Sequence, residues 1–273
     1  LQDPGPGLSV ARGRGADRSR VRRPYRFADG HRAFAGHFAA TESLEIATDA
    51  TKVVGLTAGS ESVPVEGGWR EASSWIFNSR PINLPLTMNR KPPRVTANVG
   101  TSVVLRPKFA EVRSIIKYDV AYSGVSQFVV RLPDLEGVNV RIEGEGDGNL
   151  LKQVTPAPEA IEGWKEWTLH TQREVLGPVA FVARYDIPIP EAGESGIAVS
   201  VQPPRLLAAA GAAAVVSAKG EMTVKADDQW SLSATTEGVD EIDVRELESL
   251  SSDASLAYRY FESPNPAAVP KIS

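Results

Sequence analysis

From Val95 to Leu105 the apolar or small side chains hold one parity: Val95, Ala97, Val99, Thr101, Val103 and Leu105. Thr96, Asn98, Ser102 and Arg106 take the other. Between Val112 and Tyr122 the pattern repeats, with Val112, Ile116, Tyr118, Val120 and Tyr122 on one side and Glu111, Arg113, Lys117 and Asp119 opposite. Successive side chains of a strand point to opposite faces, so a sustained period of two predicts half-buried β-strands. Pro107-Lys108 breaks the pattern and predicts a long antiparallel hairpin; Ser123-Gly124 predicts a turn into a third strand carrying Phe128, Val130 and Leu132. The register is specific. Val112, Ile116, Tyr118 and Val120 belong inside, Arg113, Lys117 and Asp119 outside, and a slip of one residue would reverse all of them.

Similar segments flank this stretch. Upstream, Leu44–Thr48, Lys52–Thr57, Trp69–Phe77 and Ile82–Met88 read as strands, the last an edge or bulge because Pro81 and Pro85 withhold backbone donors. Downstream, Val138–Ile142, Leu150–Val154, Trp164–Gln172, Val179–Ile187 and Ile197–Val201 follow, with Gly177-Pro178 read as a turn. Leu206–Val216 fits either an alanine-rich helix or a small-residue strand. Glu221–Ala226 and Trp230–Thr235 read as a hairpin around Asp227-Asp228. Asp243 is placed to cap a short helix over Val244–Leu250, with Glu246 in capping-box position. Ser255–Phe261 returns to strand. About eight strands separated by turn signals predict an all-β fold, an antiparallel β-sandwich built from long hairpins with at most one or two short helices near the C-terminus.

The expected organisation is a disordered basic linker over residues 1–24, a β-rich subdomain over 25–91, a central sandwich over 92–204 and a C-terminal β-rich segment over 205–273. Six arginines crowd the linker (Arg12, Arg14, Arg18, Arg20, Arg22, Arg23) with almost nothing to bury, which favours a tail over a folded element; a basic arm for phosphate or anionic lipid is the functional alternative. Leu1 is not a start methionine, and the last residues read as a cut through a continuing chain.

Composition narrows the chemistry. The hydrophobic content of 42% with 23% charged residues is that of a globular protein. A net charge of −4 argues against a dedicated nucleic-acid binder. No cysteine is present, which removes disulfides, thiolate catalysis and cysteine-ligated metals. Leu206–Val216, the longest apolar run, falls well short of the roughly 20 residues a spanning helix needs.

The loop Glu143-Gly144-Glu145-Gly146-Asp147-Gly148-Asn149 is the best metal candidate. Glu143, Glu145, Asp147 and Asn149 carry oxygen ligands, and the glycines let the backbone fold back, which suits calcium. It lacks the terminal glutamate of an EF-hand, and a plain connecting loop is the alternative; otherwise no cofactor is expected. Trp164 and Trp167 lie on opposite parities of one strand, so one of them is expected outside the core, where its ring could stack on a glycan. His31 and His37 lack a third ligand at short spacing. Glu166 and His170, about 13 Å apart along a strand, are too distant to form an acid–base pair.

The order of features resembles very large, uncharacterised envelope proteins of bacteria built from long β-rich units. Pro93-Arg94-Val95-Thr96-Ala97, Lys117-Tyr118-Asp119-Val120, Tyr122-Ser123-Gly124-Val125, Phe128–Pro133, Trp167-Thr168-Leu169, Gly177–Tyr185 and Ala257-Tyr258-Arg259-Tyr260 carry it. The resemblance implies an extracytoplasmic, β-rich segment of a longer chain, and brings no activity to any residue. The expectation is therefore a non-enzymatic structural or interaction module whose partners are neighbouring domains or other envelope proteins. A carbohydrate-binding sandwich, or a hydrolase with unrecognised carboxylates, are the alternatives.

Overall fold

The computed structural model describes residues 35–60, 69–146, 150–189, 198–207, 214–226, 231–262 and 271–272. The basic linker, His31, Trp230 and the Asp227-Asp228 turn lie outside the described residues, as does most of the alanine run. The chain divides into two compact units between Arg90 and Lys91.

In the first unit, β1 (Ala35–Thr41), β2 (Leu44–Thr48), β3 (Leu56–Ala58), β4 (Trp69–Phe77) and β5 (Leu86–Arg90) form two small sheets, ordered β1-β4-β3 and β2-β5. Lys52, expected in a strand, instead ends a single 3-10 turn, Ala50–Lys52, capped by the Asp49 carboxylate, which accepts from Thr51 N–H.

The second unit holds the main sheet. Its strands are β6 (Arg94–Leu105), β7 (Phe109–Pro133), β8 (Arg141–Gly144), β9 (Leu151–Pro156), β10 (Trp164–Pro188) and β11 (Val215–Lys225). Then come β12 (Thr236–Glu237), β13 (Asp240–Ile242), β14 (Leu256–Glu262) and β15 (Lys271–Ile272). The order is β13-β14-β11-β6-β7-β10-β8, with β9 also on β10 and β12 paired with β15 apart from it. The pairs are antiparallel except β6–β11, which run parallel. The expected register holds: Val112 and Ile116 are fully buried, Tyr118 and Val120 nearly so, while Lys117 and Asp119 are exposed and Arg113 half-exposed.

Two expected turns are not turns. β7 runs through Ser123-Gly124, and β10 runs through Gly177-Pro178, each as one 25-residue strand. The pair bends instead of reversing. Tyr118 and Phe128, ten residues apart, would be about 33 Å apart on a straight strand, yet their ring centroids lie 4.9 Å apart. Phe181 of β10 closes the group at 5.5 Å from Phe128 and 6.0 Å from Tyr118. One strand pair thus crosses both layers of the sandwich, the halves meeting at a corner. The turn-type residues mark that corner: Tyr122 sits at φ 74°, Gly177 at φ 88°, and the β7–β10 register shifts between His170 and Gly177. Positive φ costs a tyrosine conformational energy. Lys91 offsets it, with its ammonium 5.0 Å from the Tyr122 ring centroid and its carbonyl accepting from Ser123 Oγ at 2.6 Å.

β11 inserts between β6 and β14, with β13 beyond β14, so these C-terminal strands belong to the main sheet. Glu221–Lys225 therefore pairs with β6, and Glu221–Val224 also with β14, while Ser231–Thr235 carries no strand. The helix expected over Val244–Leu250 is only a 3-10 turn, Val244–Glu246. Asp243 does cap it, accepting from Arg245 N–H at 2.9 Å, but seven residues are too few to sustain a helix without tertiary help. The tertiary contacts pull the other way, since the N–H groups of Glu248 and Ser249 turn towards Glu221.

Gly220 faces Tyr260 across the β11–β14 pair, and a Cβ at Gly220 would overlap the phenol ring. The ring covers the bare backbone, as aromatic neighbours of strand glycines do. Gly220→Ala is expected to destabilise the chain by about 1–3 kcal/mol, the usual cost of overpacking, read as a lower midpoint in urea. Gly137, where a Cβ meets nothing, is not a matched control because its φ is positive.

Candidate functional site

The acidic loop leaves β8, which pairs with Phe181–Arg184 of β10. That pairing brings arginines to its carboxylates. Glu143 Oε2 lies 3.0 Å from Arg184 Nη1, and Glu145 Oε1 lies 3.5 Å from Arg113 Nη2. Arg141 adds a longer contact to Glu143, at 3.8 Å. Asp147 and Asn149 lie outside the described residues, so the four expected ligands are not seen together. A cleft of about 280 Å³ borders the loop, with Lys117, Glu145, Leu150 and Phe181 in its walls. A calcium ion here would have to compete with Arg184 and Arg113 for the same oxygens. Adding 10 mM calcium is expected to leave the melting temperature unchanged. A rise of several degrees that Glu143→Gln removes would instead place a cation in the loop.

Trp164 and Trp167 do point to opposite faces. Trp167, opposite Val130, packs against the core with its indole N–H buried and without a partner among the described residues. Trp164 faces outwards but is only 7% exposed, because the Arg205 guanidinium lies 5.2 Å over its ring. Its flat face is therefore taken by a cation rather than presented to solvent. Glu166, on the same face, turns to Arg131 at 3.0 Å and away from His170. His37 pairs with Glu71 across β1 and β4, Nδ1 to Oε1 at 2.7 Å.

Two carboxylates that sequence reasoning passed over, buried Glu221 and half-buried Glu262, collect backbone donors. Glu221, 4% exposed, accepts from Glu248 N–H (3.0 Å), Ser249 N–H (3.0 Å), Ser249 Oγ (2.8 Å) and Arg259 Nη2 (3.4 Å). Burial pushes its pKa up, but these four donors together outweigh burial and hold it below the usual glutamate value. Glu262 accepts from Leu206 N–H at 2.9 Å and Leu207 N–H at 3.0 Å. Burial first, then the Glu262 charge, raises the phenols of Tyr118 and Tyr260 well above the ordinary tyrosine range. The Tyr185 and Tyr260 hydroxyls have no hydrogen-bond partner among the described residues. Glu221 had one visible signal: it is the single acid between Val215 and Val224. A buried acid needs donors, but nothing in the sequence says that they come from residues 248 and 249.

No protein-family model matches the chain, and no curated protein matches it. Among solved structures, it is similar to a zinc metallopeptidase from Deinococcus radiodurans at 10% identity and TM-score 0.34. A substituted form of that enzyme bound to a Tyr-Ser-Ala substrate gives 11% identity and TM-score 0.34. In both, the match covers 67% of this chain and 43% of the other. The chain thus spans under half the length of those structures, and a likeness this slight carries no argument about activity.

Proposed function

We propose that this chain is a non-enzymatic structural or interaction module of a larger bacterial extracytoplasmic protein, whose partners are neighbouring domains or other envelope proteins. The observation that carries the reading is the use of the Glu221 and Glu262 carboxylates. Glu221 and Glu262 each grip backbone N–H groups of a loop and fasten it to the sheet. Acid–base catalysis would need such groups free to exchange a proton with a substrate; here their lone pairs are committed to the fold. The bent β7–β10 pair, with both of its strands shared between layers, suits a unit that bears load or spaces its neighbours.

The test is fractionation of cells expressing the parent protein, combined with assays of the purified chain on common glycoside, ester and peptide substrates. Recovery in the envelope fraction with no turnover supports the reading. Turnover that Glu166→Gln or His170→Gln removes would overturn it in favour of a hydrolase.

A further inference from the structure

The outer face of the second layer holds two arginines side by side. Arg205 and Arg131 exchange both backbone hydrogen bonds, each at 2.9 Å, in an isolated antiparallel bridge. Directly opposed residues of such a pair project to the same side of the sheet. Arg131 is in turn opposite Glu166 on β10, so Arg205, Arg131 and Glu166 form one row. Like charges directly opposed across strands destabilise a sheet. Glu166 answers only one of them, through Arg131 Nε, and the row keeps a surplus positive charge.

The surplus is open. The Arg205 guanidinium makes no hydrogen bond or ion pair with any described residue; its one contact is the Trp164 ring. The terminal nitrogens of Arg131 are likewise uncommitted, although its side chain is only 20% exposed. The scaffold is stiff. Arg205 is held by the bridge on its own backbone, and the next two N–H groups are held by Glu262. Trp164 beneath keeps the guanidinium off the sheet and oriented. Arginine offers a planar fork of donors that matches a carboxylate in bidentate fashion.

We propose that Arg131 and Arg205 form a receptor for the carboxylates of an acidic polypeptide segment, a proposal that rests on the module reading and gives that module a partner chemistry. A polypeptide fits better than an acidic saccharide, because the Trp164 face at the site is covered by Arg205 and is not left for a sugar to stack on. The flanking positions also suit peptide side chains: half-buried Pro133 on one side of the row, half-buried Val129 and Leu207 on the other.

The test titrates hexaglutamate, oligogalacturonate and inorganic phosphate into the full chain by calorimetry, at low and at physiological salt. Hexaglutamate is expected to bind with an affinity that falls as salt rises, and at least tenfold more tightly than the other two. Arg205→Gln, which breaks no ion pair of the folded chain, is expected to weaken it at least tenfold, and Lys108→Gln, in the β6–β7 turn, to leave it unchanged. Arg131→Gln should act like Arg205→Gln; thermal melting separates loss of binding from loss of fold in that variant. No hexaglutamate binding, binding indifferent to Arg205→Gln, or tighter binding of the saccharide or phosphate would each overturn the proposal. Such a failure in a chain that still fractionates with the envelope sinks the receptor alone. Substrate turnover with peptide binding intact sinks the module reading alone.

Discussion

Ile116→Asp is expected to abolish the folded state of the main sheet. Ile116 is fully buried in the middle of β7, opposite Val99 on one side and Phe181 on the other. Aspartate there loses the packing of a large aliphatic side chain, about 2–5 kcal/mol. It also buries a carboxylate with no donor facing it, which costs several kcal/mol more. Together these approach the whole stability of an ordinary domain, about 5–15 kcal/mol. Lys117→Asp, one residue along on the exposed face, is the control and should shift stability by no more than about 0.5 kcal/mol. Circular dichroism melts read both. An Ile116→Asp chain that melts like the wild type would refute the register, and with it the assignment of faces along β7.

Glu221→Ala is expected to cost about 3–5 kcal/mol, the usual consequence of removing one partner from a buried charged group and stranding the other. The stranded groups are Glu248 N–H, Ser249 N–H and the Arg259 guanidinium. The damage should centre on the strap 243–250, which packs Leu250 against Gly100 of β6. In hydrogen exchange the Glu248 and Ser249 amides should lose protection before the β6–β7 amides do. Acid should mimic the substitution. The folded pKa of Glu221 lies below its unfolded value, so its contribution is complete above the unfolded pKa, about 4.3, and is lost as pH falls through the lower folded value. Between pH 7 and pH 5 the strap should stay protected; further acidification should open it in the wild type and change little in Glu221→Ala. Strap protection that is the same at pH 7 and pH 2 would show that the Glu221 carboxylate does not hold it.

The parity of Val95–Leu105 and Val112–Tyr122 was enough to assign strands, faces and fold class, because burial of one face imposes a period of two. What the sequence concealed was longer in range. Ser123-Gly124 and Gly177-Pro178 have turn chemistry, and a local reading cannot distinguish a reversal from a bend in a strand that goes on pairing. The continued pairing of β7 with β10 on both sides of the corner separates the two. The insertion of β11 between β6 and β14 is equally non-local, since a parallel neighbour needs a distant crossover that leaves no mark on either strand. Of the candidate site residues, Trp164 and Trp167 were assigned to opposite faces from parity alone. That Arg205 would cover Trp164 depends on a bridge between residues 74 positions apart in the chain. Glu143 and Glu145 were read as oxygen donors awaiting a cation; Arg184 and Arg113 came to them through strand pairing, not through proximity in sequence.

The rest depends on the folding of the β7–β10 pair across itself, and nuclear Overhauser contacts between aromatic ring protons test it most directly. Cross-peaks between Tyr118 and Phe128, and between Phe128 and Phe181, are expected, because their centroids lie 4.9 Å and 5.5 Å apart. Contact of Phe181 with Tyr118 but none of either ring with Phe128 would mean a straight strand pair in one layer, and would contradict the sandwich.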